Sequence, residues 1–380
     1  MRTPLSDEFG IDLALFAFSY MPDVVVEVCK AGGMGVLGAV RFTPDELSSA
    51  LSYIEREIGG RPYGVDIVMP AKTEAVAGMD IGEMHAMLEK MIPQEHRDFV
   101  ERVLDQHGVP KLPADAEHGR DLLSWTDTEA RLQVERALSR PDVKILVNAL
   151  GPPPKDVVDE AHQAGVKVAA LVGRKDHALK QLANGVDIIV AQGTEAGGHS
   201  GEVATMVLVP EVVDAVGDHP VLAAGGIGNG RQVAAALALG AQGAWTGSMW
   251  LNTVECGQPD IMYKKFHAAT SSDAVRSRAY TGKPARQLRT AWTEAWDDPA
   301  NPAPLGMPLQ YMLNAEAQDR IRRSGNEALM GTPIGQLVGS FTEVRTVSEV
   351  IATMLAEYDR TVTALPRLTA PDPSPSLSNV

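Results

Sequence analysis

A histidine directly behind two glycines, in Glu195-Ala196-Gly197-Gly198-His199, is the segment of this chain best suited to chemistry. Imidazole gains and loses a proton near neutral pH. The glycine pair lets backbone approach a flat ligand with no Cβ in the way. Alone, Gly-Gly-His is better read as a glycine-rich turn with a surface histidine. Two further glycine turns change that balance: Ala223-Ala224-Gly225-Gly226-Ile227-Gly228 and Thr246-Gly247-Ser248. Backbone N–H groups in such turns, together with helix N-termini, bind phosphate. The three segments together predict a phosphate-bearing ligand beside a proton-transfer residue.

The elements that must position them follow a regular rhythm. Apolar runs at 11–18, 34–39, 64–69, 144–150, 166–171, 187–192, 221–224 and 243–246 read as eight strands. Helical patterns lie between most of them, near 22–31, 155–164, 176–183, 204–216 and 230–239, and each ends at or near a glycine. Another helix starts at Thr43-Pro44-Asp45-Glu46, with threonine as cap and proline at the first helical position. Alternating strands and helices predict parallel βαβ units. Eight of them predict an α/β fold, a (β/α)8 TIM barrel, with a helical insertion after strand 3 and further C-terminal helices. The glycine turns then follow strands six, seven and eight, at the end of the barrel that carries active sites.

Residues 1–70 and 141–365 are assigned to the barrel and its C-terminal helices. Residues 71–140 are assigned to the insertion, a candidate lid because it leaves from the C-terminal end of a strand. In it Met84, Met87, Leu88 and Met91 repeat at helical spacing, as do Phe99, Val100, Val103 and Leu104, and both stripes read as core faces. Thr126 and Glu129 have capping-box spacing. The stretch 366–380, rich in proline and serine, reads as a disordered tail.

Composition narrows the function classes. With 34 basic and 49 acidic residues, the formal charge of -15 argues against nucleic acid or a polybasic membrane contact. It also repels anions at long range, so any anion site must be local. No run reaches the roughly 18 apolar residues of a membrane helix, and the first ten residues lack the apolar core of a signal peptide. Two cysteines, Cys29 and Cys256, cannot build a disulfide framework or zinc cluster. A cytoplasmic setting is the expectation. The other eight histidines lack metal-ligand spacing, so no metal is expected. Cys29 reads as a packed apolar residue. Cys256 lacks the electropositive setting of a reactive thiol, and Tyr280 reads equally as pocket lining or packing.

The three segments, with Lys30–Gly38, Arg61–Asp66 and Thr281–Arg286, resemble the nitronate monooxygenase family, formerly termed 2-nitropropane dioxygenases. The resemblance covers nearly the whole barrel, and Glu195–His199 and Ala223–Ile227 are its specific part. It implies an FMN cofactor held at the phosphate by Gly225, Gly226, Gly247 and Ser248. Gln192, Gly197 and Gly198 then line the ribityl chain and isoalloxazine, and His199 is the catalytic histidine. Ala17 and Phe18 face the flavin, where relatives carry an alanine-proline-methionine type of sequence. Asp66 stands where relatives usually have asparagine, near the flavin's polar edge, and a carboxylate there accepts rather than donates. Gly331–Gln336 loosely resembles the family's glycine-glutamine element.

The implied reaction is oxidation of alkyl nitronates or nitroalkanes with O2 to a carbonyl compound and nitrite. The alternative is an FMN-dependent NAD(P)H reductase of quinones or enoyl thioesters, for which the insertion would supply a pocket. A phosphate-ligand barrel without redox chemistry is the third reading. A homodimer is a further expectation of the resemblance.

Overall fold

The computed structural model describes residues 1–69, 81–113 and 127–369. Short helix α1 (Pro4–Phe9) precedes strand β1 (Leu15–Ser19). Then follow α2 (Pro22–Lys30), β2 (Met34–Gly38), α3 (Pro44–Ile58), β3 (Tyr63–Asp66), α4 (Ile81–Lys90), α5 (Gln94–Gln106), α6 (Asp127–Leu138) and β4 (Val143–Asn148). The chain continues through α7 (Lys155–Gln163), β5 (Lys167–Val172), α8 (Lys175–Ala183), β6 (Ile188–Gln192), α9 (Thr205–Val216), β7 (Val221–Ala224), α10 (Gly230–Ala238) and β8 (Gly243–Thr246). Last come α11 (Asp260–Ala268), β9 (Ala274–Ser277), β10 (Ala285–Leu288), α12 (Ala291–Asp297), α13 (Leu309–Ser324) and α14 (Val347–Thr369).

Strands β1–β8 pair in parallel and in order, and β8 returns to β1, so the sheet closes as a barrel. This is the (β/α)8 fold that the alternation predicts. The first strand starts later than the apolar run: Asp12 and Leu13 both donate to the Gly32 carbonyl and so form a turn. The Thr43 capping box forms as expected, with Glu46 returning a bond to the Thr43 N–H.

Strand parity sorts the side chains into two layers. Phe16, Met34, Val36, Ile145, Val147, Val190, Leu222 and Trp245 fill the barrel. Leu15, Ala17, Tyr63, Val65, Leu146, Ile189 and Ala223 face the surrounding helices. Helix α6 belongs to that ring: Ala130, Val134 and Ala137 pack in the outer layer, and Gln133 donates to the carbonyls of Ala39 and Phe42. Helix α14 lies against α10 and α2 and takes the eighth place in the ring. Its residues from Pro366 to Thr369 are helical where a tail was expected; residues 370–380 lie outside the described residues, as does Thr126.

Between β8 and α14 the chain makes a long excursion, which builds a second core with α5. Phe99, Val100, Val103 and Leu104 pack there with Phe266, Trp292, Trp296 and Ile321. Buried Arg320 of α13 ties the two pieces, with Nη1 2.7 Å from Glu101 Oε1 and further bonds to the Val109 and Pro110 carbonyls. The methionine stripe of α4 does not form the core face expected of it. Met87 is 40% and Met91 56% exposed, and only Leu88 of that stripe packs on the second core. Helical spacing fixes which residues share a face, but whether a partner covers the face depends on tertiary contact. The excursion also holds more than the helices expected beyond Trp250, because β9 and β10 form an antiparallel pair.

Candidate active site

The last residue of β6, Gln192, opens onto a tightly braced turn. Gly193 N–H donates to the Ala224 carbonyl, and Ala196 N–H closes back on Gly193. The Glu195 carboxylate accepts from the Thr205 N–H at 3.0 Å and from its hydroxyl at 2.8 Å. It therefore caps the first turn of α9, where N–H groups lack partners and negative charge is favoured. Glu195 thus locks the strand-6 turn to a helix and leaves the residues after it to reach over the barrel mouth.

The hairpin β9–β10 holds that reach in place. Gly198 N–H donates to the Arg286 carbonyl at 2.9 Å, and Arg286 N–H returns to the Gly198 carbonyl at 2.7 Å. The buried Arg286 guanidinium donates to the Thr194 carbonyl at 2.7 Å and also to the Ala274 carbonyl. Arg286 fixes both ends of the glycine segment from one residue. We expect Arg286→Met to leave those carbonyls without donors and to cost on the order of 3 kcal/mol, read as a fall in the urea midpoint. An unchanged midpoint would remove Arg286 from this positioning role.

His199 emerges from this clamp half-buried. Its Nδ1 lies 3.2 Å from the Pro284 carbonyl, and its Nε2 lies 3.4 Å from the Thr281 hydroxyl. A carbonyl only accepts, so Nδ1 carries the proton and Nε2 keeps its lone pair. Burial pushes the imidazole below its ordinary value and Lys283 nearby pushes the same way, against an opposing effect of the Pro284 bond. His199 is therefore a neutral base at neutral pH, with Nε2 as the basic atom.

The two other glycine turns stand beside it. Gly225 and Gly226 take φ of +97° and +70°, a region glycine enters without strain. Among the described residues, the N–H groups of Gly225, Gly226, Ile227, Gly247 and Ser248 donate to no protein acceptor. A Cβ placed on Gly247 would meet only the Phe18 ring, at 3.9 Å. The Ser248 hydroxyl accepts from Gly335 N–H at 2.8 Å, which leaves its own proton free to donate outward. Free N–H groups from two adjacent turns form a concavity for an anion. The start of α10 is not part of it, since Gly230 N–H is held by the Glu357 carboxylate at 3.1 Å.

Strand parity places the remaining site residues. Phe18, Asp66 and Gln192 form the last interior layer before the mouth, with Phe18 stacked 6.3 Å from Trp245. Ala17 does not join them, because its side chain is buried in the outer layer against the helices. Asp66 is 6% exposed, its Oδ1 has no hydrogen-bond partner among the described residues, and burial pushes its carboxyl up to about 7. Tyr20, just beyond β1, carries the Arg41 guanidinium 4.6 Å over its ring.

The sequence reading did not single out three features of the site: Arg286 as clamp, Thr281 at Nε2, and the place of Gly335. Gly335 bonds Ser248 while Gln336 N–H donates to the Glu195 carbonyl at 2.9 Å. The segment 331–336 thus joins the turns after β6 and β8. Its likeness to a family element was the only signal for it in the sequence.

The fold and this site define a (β/α)8 barrel with two turns of unpartnered N–H groups over the late strands and a histidine on the turn next to them. The family model described as "Nitronate monooxygenase" matches residues 16–357, and the chain belongs to that family. It is an oxidoreductase. A Mycobacterium tuberculosis protein with a provisional monooxygenase name is 49% identical over 95% of this chain and 98% of its own length. A Staphylococcus aureus protein, provisionally named a nitronate monooxygenase, is 27% identical over 87% of this chain and 89% of its own. Among solved structures, nitroalkane oxidase from Streptomyces ansochromogenes superposes with a TM-score of 0.77 at 25% identity, covering 95% of this chain and 99% of that one. FabK from Thermotoga maritima gives 0.71 at 25% identity, covering 97% and 99%.

Proposed function

We propose that the protein is an FMN-dependent nitronate monooxygenase, which oxidises alkyl nitronates or nitroalkanes with O2 to a carbonyl compound and nitrite. The observation that carries this reading is the neutral His199, the lone pair of its Nε2 facing only the Thr281 hydroxyl at 3.4 Å among the described residues, set beside a two-turn anion cradle. The residues suit FMN. The N–H groups of Gly225, Gly226, Gly247 and Ser248 match a phosphate, and the open space beside Gly198 leaves room for a flat ring, while Gly197 packs against Ile334 and Gly335. When bound, the flavin supplies two-electron redox chemistry that no side chain here supplies.

The chain's own residues do the rest. His199 Nε2 takes the proton from the carbon beside a nitro group, and the Pro284 carbonyl steadies the imidazolium that forms. For a substrate already ionised, the same ring orients the nitronate by hydrogen bonding. The local cradle offsets the formal charge of -15, which would otherwise disfavour a phosphate. Oxygen consumption matched by nitrite release from propyl-nitronate tests the reading. An FMN-loaded enzyme that does neither would overturn it.

The His199 environment also sets a pH profile. Protonation removes the base, so kcat/KM for a neutral nitroalkane should be flat at alkaline pH and fall on the acid side. The midpoint should lie below an ordinary imidazole's, since burial opposes the charged form. A midpoint above that value would contradict the assignment.

A second reading, an NAD(P)H reductase of quinones or enoyl thioesters, is favoured by a cleft of about 680 Å³ that shares Pro284 with the site. Arg276, Arg278 and Trp296 line it together with the carboxylates of Glu202, Asp297 and Asp298, a mixed-charge lining that suits an uncharged pantetheine chain better than a nucleotide's phosphates. Rapid anaerobic bleaching of the flavin by NADPH supports that reading, and slow bleaching supports the monooxygenase.

A further inference from the structure

Among the described residues of the last interior layer, Phe18, Asp66 and Gln192, Asp66 is the ionisable one, and the proposed reaction leaves its chemistry unused. Tyr63 and Val65 face the helices, and a Cβ on Gly64 would run into Ile145 and Val36 inside the barrel. Asp66 therefore points inward, one step beyond Gly64 and next to the mouth. Its register neighbours are Gly38 on β2 and Val147 on β4. Neither offers a side-chain hydrogen bond.

A buried ionised carboxylate without partners costs several kcal/mol, and the group takes up a proton instead. A neutral carboxyl has one O–H donor and one carbonyl acceptor. That is the donor-and-acceptor pattern of a side-chain amide. The polar edge of an isoalloxazine has carbonyls, ring nitrogens and an N–H, so a neutral carboxyl matches it where a carboxylate would not.

We propose that Asp66 carries a proton in the working enzyme and donates it as a hydrogen bond to the polar edge of the flavin, coupling flavin reduction to pH through residue 66. The proposal rests on the FMN reading above. Two electrons from a reductant such as dithionite enter the ring with one proton. Above the pH at which Asp66 ionises, a second proton from solvent joins its carboxylate as charge builds on the ring. There two electrons travel with two protons; at lower pH they travel with one. The charged and titratable groups nearby are Tyr20 beyond β1, Arg41 beyond β2 and Tyr280 in the loop after β9, and Tyr20 feels Asp66, Arg41 and Tyr280 together. The helix ring on the other side of β3 presents apolar side chains.

The test uses the full chain loaded with FMN. Retention of the visible flavin band through gel filtration comes first, and its absence overturns the FMN reading together with this proposal. With FMN bound, the midpoint potential is measured against pH for the wild type and for Asp66→Asn. The wild-type slope should double above a break near neutrality, and the asparagine variant should keep the shallow slope throughout. Identical profiles overturn the proposal and leave the FMN reading intact. A second measurement needs no variant: infrared difference spectra of protein labelled with ¹³C-aspartate should show a protonated-carboxyl C=O band that shifts on flavin reduction. No labelled band at acidic pH overturns the proposal.

Discussion

His199→Asn should retain FMN and lower turnover on nitroethane by about a hundredfold or more, the usual loss when a general base is removed. Asparagine keeps a polar group near the Pro284 carbonyl but has no lone pair of imidazole basicity at the Nε2 position. The loss should therefore fall on kcat with a nitroalkane, whose carbon must be deprotonated. It should be much smaller with a pre-formed nitronate, which arrives ionised and needs only orientation. This contrast separates a proton-transfer role from a packing role. Parallel kinetics on nitroethane and ethyl-nitronate read it directly. Equal losses on the two substrates would show that His199 orients but does not deprotonate.

The parts of the site legible in the sequence are those where one segment carries its own geometry. Gly197-Gly198-His199, Gly225-Gly226 and Gly247-Ser248 each follow a strand, so their place at one end of the barrel follows from the alternation alone. Contacts between distant segments could not be read this way. Gly198 pairs with Arg286, and Ser248 with Gly335, across stretches with no periodic signal, since β9 and β10 are four residues each and sit between irregular loops. Helix α14 reads as an appendage in the sequence, yet it closes the ring against α10 and α2.

Side-chain direction and charge state were also partly hidden. Ala17 and Phe18 are adjacent in sequence, but a strand sends them to opposite faces, so only Phe18 belongs to the mouth. Asp66 reads as an acceptor when its charge is taken from solution. The structure buries its Oδ1 without a partner among the described residues, pushes the carboxyl up to about 7 and so turns it toward donation.

Gly193→Ala should have the largest effect on stability at the site, at about 4 kcal/mol. Gly193 does not need glycine for its backbone angles, since it is not among the positive-φ glycines. It needs glycine for space: a Cβ there would run into the Thr205 hydroxyl, lie 2.5 Å from the Thr205 nitrogen and 2.6 Å from Glu195 Oε2. These are the atoms that cap α9, so the methyl group must break the Glu195–Thr205 pair. Crowding of a packed site costs roughly 1–3 kcal/mol, and loss of a charge-assisted bond roughly 1.5–3 kcal/mol. FMN retention should fall with it, because the Gly225 carbonyl packs against the same hydroxyl, 2.9 Å from Thr205 Oγ1. Gly198→Ala is the matched control. It has open space around its Cβ and φ of +75°, so it should cost only about 1–2 kcal/mol through backbone strain. Urea unfolding of both variants without FMN decides the matter, and a Gly193→Ala protein no less stable than Gly198→Ala would show that the α9 cap does not brace this turn.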